Sequence, residues 1–78
     1  MTSKELDQMK WQVPFQPFRV VTNQNETFEI SRPGLIIVAG RDINIGIPHP
    51  DEPPPMVSDV IWLDIDNIVR VEPLAPVS

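Results

Sequence analysis

Val13-Pro14-Phe15-Gln16-Pro17-Phe18-Arg19 separates a short helical head from a body written in β-strand residues. Pro14 and Pro17 each lock φ and remove a backbone donor, and they push Val13 and Gln16 toward extended conformations. No helix runs through such a segment. Phe15 and Phe18 follow the two prolines directly, and each ring can bury about 150–250 Å², a large share of the core that 78 residues can build. The expectation is that the two rings anchor head to body; the alternative is an exposed aromatic docking patch.

Upstream, Thr2-Ser3-Lys4-Glu5 has the form of a capping box, with Thr2 as N-cap and Glu5 reaching back to the Thr2 amide. Leu6, Met9 and Val13 fall near one side of a helix over about residues 3–12, which must stop before Pro14. A helix this short is marginal alone in water, so it has to dock through Leu6 and Met9. Trp11 is expected at the junction.

Downstream the period changes to two. Phe18, Val20 and Thr22 alternate with Arg19, Val21 and Asn23, and after Asn23-Gln24-Asn25 the run Glu26 to Ile30 sets Phe28 and Ile30 on one face, which predicts a β-hairpin. Pro33-Gly34 supplies a tight turn before the apolar run Leu35 to Ala39. Gly40-Arg41-Asp42 turns again into Ile43-Asn44-Ile45-Gly46-Ile47, whose isoleucines mark one buried face. Residues 48–56 form a proline-rich loop of polyproline character, because five prolines lie between positions 48 and 55 and none can donate to a ladder. Val57 to Ile65 forms a strand, Asp64-Ile65-Asp66-Asn67 allows a single turn, and Ile68 to Glu72 closes the domain with Val69 and Val71 expected inward and Arg70 and Glu72 outward. The last residues, Leu74 to Ser78, are expected to be loosely held.

Five or six short strands behind one short N-terminal helix predict a mainly β fold, a small antiparallel barrel, since closure removes the edges of Val- and Ile-rich strands. The closing phrase of strand, single turn and final strand is similar to the end of SH3-like and Sm-like barrels. The chain is long enough for one such domain, residues 1–78, and not for two.

Over nearly its full length the chain resembles a family of small uncharacterised bacterial proteins met in many copies in planctomycete genomes. The resemblance rests on TSKELDQM, PFQPFRV, FEISRPGLIIVAG, IGIPHPDEP and the terminal IDNIVRVEPL. The family usually carries an Asp-Gly type turn and a His-Pro-Glu after the second strand; here Asn23-Gln24-Asn25 and Arg32-Pro33-Gly34 stand in their places. The resemblance implies fold and cytoplasmic context, and no chemistry.

Net charge is −5, unevenly spread: residues 1–41 hold five basic and four acidic groups, and residues 42–78 hold seven acidic groups against Arg70 alone. An acidic half argues against a broad phosphate-binding face. With no cysteine there is no disulfide framework, thiolate nucleophile or Cys-based zinc site. No window approaches the ~20 apolar residues of a membrane span, so no membrane partner is expected and the cytoplasm is the expected location.

Candidate chemistry is sparse. His49 is the one histidine, beside Asp51 and Glu52, and a lone imidazole falls short of the three or four ligands a transition metal wants. Asp64-Ile65-Asp66-Asn67 fails as a calcium loop, because Ile68 and Val69 stand where an oxygen ligand and glycine are required. The serines lack a nucleophile motif and the glycines a phosphate-loop spacing. The expected function is therefore non-enzymatic, without cofactor or metal: an interaction module for an unknown protein partner, or self-associating as a homo-oligomer. Its candidate partner-binding residues are Trp62, either core or exposed anchor, and Pro53, Pro54, Pro55 and Met56, where DEPPPM is similar to a polyproline ligand. The alternative is an Sm-like or SH3-like nucleic-acid-binding or regulatory protein using Arg19, Arg32 and Arg41.

Overall fold

A computed structural model of the chain describes residues 1–74; the expectation for the tail lies, from residue 75 onward, outside the described residues. Helix α1 (Ser3–Lys10) is followed by β1 (Phe18–Thr22), β2 (Thr27–Ile30), a 3-10 turn at Pro33–Leu35, β3 (Ile36–Ala39), β4 (Asp42–Pro48), β5 (Val57–Asp64), a second 3-10 turn at Ile65–Asn67, and β6 (Ile68–Pro73).

The capping box of α1 forms as the spacing requires, with Thr2 Oγ1 accepting from the Glu5 amide at 3.1 Å and Glu5 Oε1 accepting from the Thr2 amide at 3.1 Å. These bonds to its ionised form, the Thr2 hydroxyl contact foremost, hold the Glu5 carboxyl below its ordinary range. The helix ends two residues before the expected limit, with Trp11 as its C-cap. Leu6 is fully buried and Met9 packs against the core, while the Lys10 ammonium donates to the Ile36 carbonyl and fastens the last turn to β3. Burying a leucine contributes about 1.5–3 kcal/mol, which is how a helix of eight residues persists. Val13, expected on the apolar side, is 93% exposed because the helix has already ended. Trp11 is exposed as well, its Nε1 donating to Asp7 Oδ1 at 3.1 Å.

The strands form two antiparallel sheets of three, ordered β2-β1-β6 and β3-β4-β5. This corrects the expectation of a closed barrel. No ladder joins the two sheets among the described residues; the chain passes between them through the two 3-10 turns, each of which breaks the pairing where closure would require it to continue. The sheets still share one core, in which Leu6 of the helix meets Phe18, Val20 and Ile30 of the first and Ile36, Ile43 and Ile45 of the second.

Pairing in the first sheet sets Phe18 opposite Ile30 and Val20 opposite Phe28, as the alternation requires. The register of β6 on β1 shifts between Val21, which faces Arg70, and Thr22, which faces Ile68. Val69 is the extra residue of this bulge and is turned outward, 51% exposed, against the expectation that it pointed in with Val71. In the turn between β1 and β2 the buried Thr22 hydroxyl accepts from the amides of Gln24 and Glu26. The turn between β3 and β4 carries Gly40 at φ 61°, in the left-handed region that favours glycine.

Candidate functional site

The second sheet turns Ile36, Ile43, Ile45, Ile61 and Leu63 toward the core, and the alternate residues therefore stand on its outer face. Cross-strand register lays these out in rows. Ile37 of β3, Asn44 of β4 and Trp62 of β5 face one another in the central row. Ala39, Asp42 and Asp64 make the row on one side, and Gly46 and Val60 the row on the other. Trp62 is 72% exposed, Ile37 53% and Val60 45%. Three large apolar side chains thus stand open on one sheet face with an asparagine between two of them.

Gly46 shapes this face. A Cβ there would stand 2.9 Å from Val57 Cγ1, so the absent side chain lets Val57 close over the strand. Beside it lies an apolar cleft of about 200 Å³ bounded by Ile37, Asn44, Val60 and Pro55. Asn44 Oδ1 is buried in this wall and accepts no hydrogen bond among the described residues. A buried acceptor left unpaired costs about 1–3 kcal/mol.

Along the free edge of β5, residues 60, 62 and 64 point their backbone groups away from β4, because successive residues of a strand alternate. The Val60 amide donates to Asp59 Oδ1 at 2.8 Å and the Asp64 amide to Asn67 Oδ1 at 2.9 Å. Between them the Trp62 amide, of the same parity, faces away from β4 as well. This edge forms one wall of a polar cleft of about 280 Å³, whose opposite wall is the turn of Asn23, Gln24 and Glu26.

The charged groups at this end are organised by Arg41, which donates to Asp64 at 3.1 Å and also to Asp66. The Asp66 carboxylate, then Asp64, raises the Arg41 guanidinium's affinity for its proton. Asp64 is held below its ordinary range chiefly by the backbone amide of Asp66, with Arg41 adding to the effect. Asp42, directly opposite Asp64 on β4, has no ion-pair partner among the described residues.

The sequence-derived candidates fall as follows. Trp62 is exposed rather than part of the core. Pro53, Pro54, Pro55 and Met56 are all exposed, but they do not form an open polyproline helix: the Met56 amide returns to the Pro53 carbonyl at 3.1 Å and the His49 amide to the Met56 carbonyl at 3.2 Å. Internal bonds of this kind are foreign to the polyproline conformation. The loop is a folded turn, of which Pro55 reaches the apolar cleft. Arg19 on β1 lies 3.6 Å from Glu29, Arg41 is held by Asp64 and Asp66, and Arg32 precedes the first 3-10 turn, so the three sit on separate elements with two of them facing carboxylates. His49 Nδ1 accepts from the Asp51 amide at 3.1 Å within the loop.

Sequence reasoning missed Ile37, Asn44 and Val60. Asn44 carried a signal, standing between Ile43 and Ile45 where period two turns it outward. Ile37 and Val60 lie inside continuous apolar runs, in which alternation leaves no trace. Among the described residues no three His, Cys, Asp or Glu come together in a metal-binding group, and no helix is long and apolar enough to cross a membrane. Comparison with protein-family models, with curated proteins and with solved structures finds no match, so the functional argument stands on the geometry.

Proposed function

We propose that this chain is a non-enzymatic protein-interaction module whose contact surface is the outer face of β3-β4-β5. The observation that carries the reading is the row Ile37–Asn44–Trp62, in which a tryptophan and an isoleucine are kept in water on a sheet face. Exposed aromatic and aliphatic groups gathered in one place mark interaction surfaces, and tryptophan is enriched among residues that dominate binding energy. Met56 and Pro55, at the end of the proline turn, extend the apolar surface.

The connectivity supports an SH3-like or Sm-like reading of the fold, with closure incomplete: a hairpin, a three-stranded meander, and a single 3-10 turn returning the last strand to β1. We take the setting to be cytoplasmic and the chain to be kin to the small bacterial family it resembles; the phrases shared along its length support both. Nucleic-acid binding is the less supported alternative, since two of the three arginines it would use, Arg19 and Arg41, already face carboxylates and the three sit on separate elements.

The test is quantitative purification from the native cell of the chain and of its Trp62→Ala variant, followed by mass spectrometry. A protein retained by the first and lost from the second is expected. The same set retained by both would remove Trp62 from the contact surface.

A further inference from the structure

Resting on that interaction-face reading, we infer that the partner presents an extended basic segment, with an aliphatic side chain at one position and an arginine or lysine four residues away. Charge complementarity comes first. Of the six cations, Arg19, Arg41 and Arg70 face carboxylates of the same chain and Lys10 is spent on the Ile36 carbonyl, whereas the outer sheet face carries Asp42 and Asp64 directly opposite each other. Asp64 is engaged by Arg41, and Asp42 is left without a cation among the described residues. A second copy of this acidic chain offers little with which to satisfy it; a basic partner does.

Geometry then sets the pattern. Gly46, Asn44 and Asp42 are alternate residues of β4, so the apolar cleft, the Ile37–Asn44–Trp62 row and the carboxylate pair follow one another at about 7 Å intervals, the spacing of alternate residues in an extended chain. A segment lying along β4 places one aliphatic side chain in the cleft beside Val60, a second between Ile37 and Trp62, and a cation between Asp42 and Asp64. Asn44 lies beneath its middle, in the central row between Ile37 and Trp62. The aliphatic side chains are thereby met by Ile37, Val60 and Trp62, and the cation by Asp42, none of which the chain itself covers or pairs among the described residues.

The probe is the blocked peptide acetyl-Gly-Leu-Thr-Val-Thr-Arg-Gly-amide, titrated into the isotope-labelled full chain by NMR beside its Arg-to-Glu counterpart, with the Asp42→Asn and Trp62→Ala variants. Expected are shifts centred on Ile37, Asn44, Val60 and Trp62, affinity for the arginine peptide about fivefold above that for the glutamate peptide, most of that difference lost in Asp42→Asn, and binding lost in Trp62→Ala. Equal affinity for both peptides at the same residues overturns the basic partner and leaves the interaction face standing. A Trp62-dependent dimer by sedimentation equilibrium, without peptide binding, overturns it in favour of a second copy. The absence of both peptide binding and dimerisation overturns the inference and the interaction face together.

Discussion

Phe15 and Phe18 pack with ring centroids 5.9 Å apart at an interplanar angle of 53°. The tilted pair joins the segment after the helix to the first strand, and Phe18 has no exposed surface at all. Truncating a fully buried phenylalanine removes its transfer free energy and leaves a cavity, about 3–5 kcal/mol together, against a total stability of about 5–15 kcal/mol for a typical domain. Phe18→Ala is therefore expected to remove a large fraction of the chain's stability at 25 °C, and Phe15→Ala, where the ring is only partly buried, to cost less. Denaturant unfolding followed by circular dichroism checks the order; a cheaper Phe18→Ala would dissolve the clamp.

Trp62→Ala is expected to change stability by no more than about 0.5 kcal/mol, the usual range for an exposed site without special contacts. The residue is the larger of the two types compared, and its location alone reverses the ranking. A loss above about 2 kcal/mol would show that the indole is part of the folded core.

Gly46→Ala sets a Cβ against Val57 Cγ1 at 2.9 Å. Overpacking of this kind costs about 1–3 kcal/mol. In a Val57→Ala background the offending methyl is gone, so the same substitution is expected to cost less, and the double-mutant cycle yields a coupling of opposite sign to the single losses. Additive effects would place the two side chains apart.

Asp42→Asn relieves a like-charge pair directly across β4 and β5. A gain of a few tenths of a kcal/mol is expected, in keeping with about 0.2–1 kcal/mol for cross-strand pairs. Thermal unfolding at low salt measures it, and the gain shrinks as salt screens the pair.

Acid titration separates two carboxylates held low for different reasons. Both folded pKa values lie below the ordinary ones, 4.5 for Glu5 and 3.8 for Asp64, so their contribution to stability is complete above those values and is lost as pH falls through the folded ones. Thr2→Ala removes the dominant partner of Glu5, and its carboxyl is expected to return toward 4.5. Arg41→Gln leaves the Asp66 amide in place, so Asp64 stays depressed. Carboxyl carbon shifts by NMR distinguish the two responses; a full return of Asp64 in Arg41→Gln would make the ion pair the leading cause.

How much of this was legible from residues alone depends on whether the signal was local. Thr2 and Glu5 cap the helix through contacts three residues apart, and Asp64 and Asn67 define the last turn in the same way. The hairpin of Phe18 to Ile30 follows from alternation within each strand. Trp62 was ambiguous because Val60, Ile61, Trp62 and Leu63 are all apolar, and only pairing with Asn44 and Ile61's place in the core decide which parity faces water. Val69 was misplaced because one extra residue in β6 inverts the faces on either side of it. Closure of the sheets was beyond reach, since it depends on ladders between strands distant in sequence.

The amides of Val60 and Asp64, satisfied by Asp59 and Asn67, bear on how the chain behaves in a crowded solution. An edge strand of eight residues rich in valine and isoleucine is a template for fibre growth, in which each added chain extends the ladder of the last. Two local side chains occupy the donors on either side of Trp62, so an incoming strand finds one amide where it needs a run of them. The β5 edge is thereby a poor template for strand-by-strand growth, whatever the sheet face beside it binds.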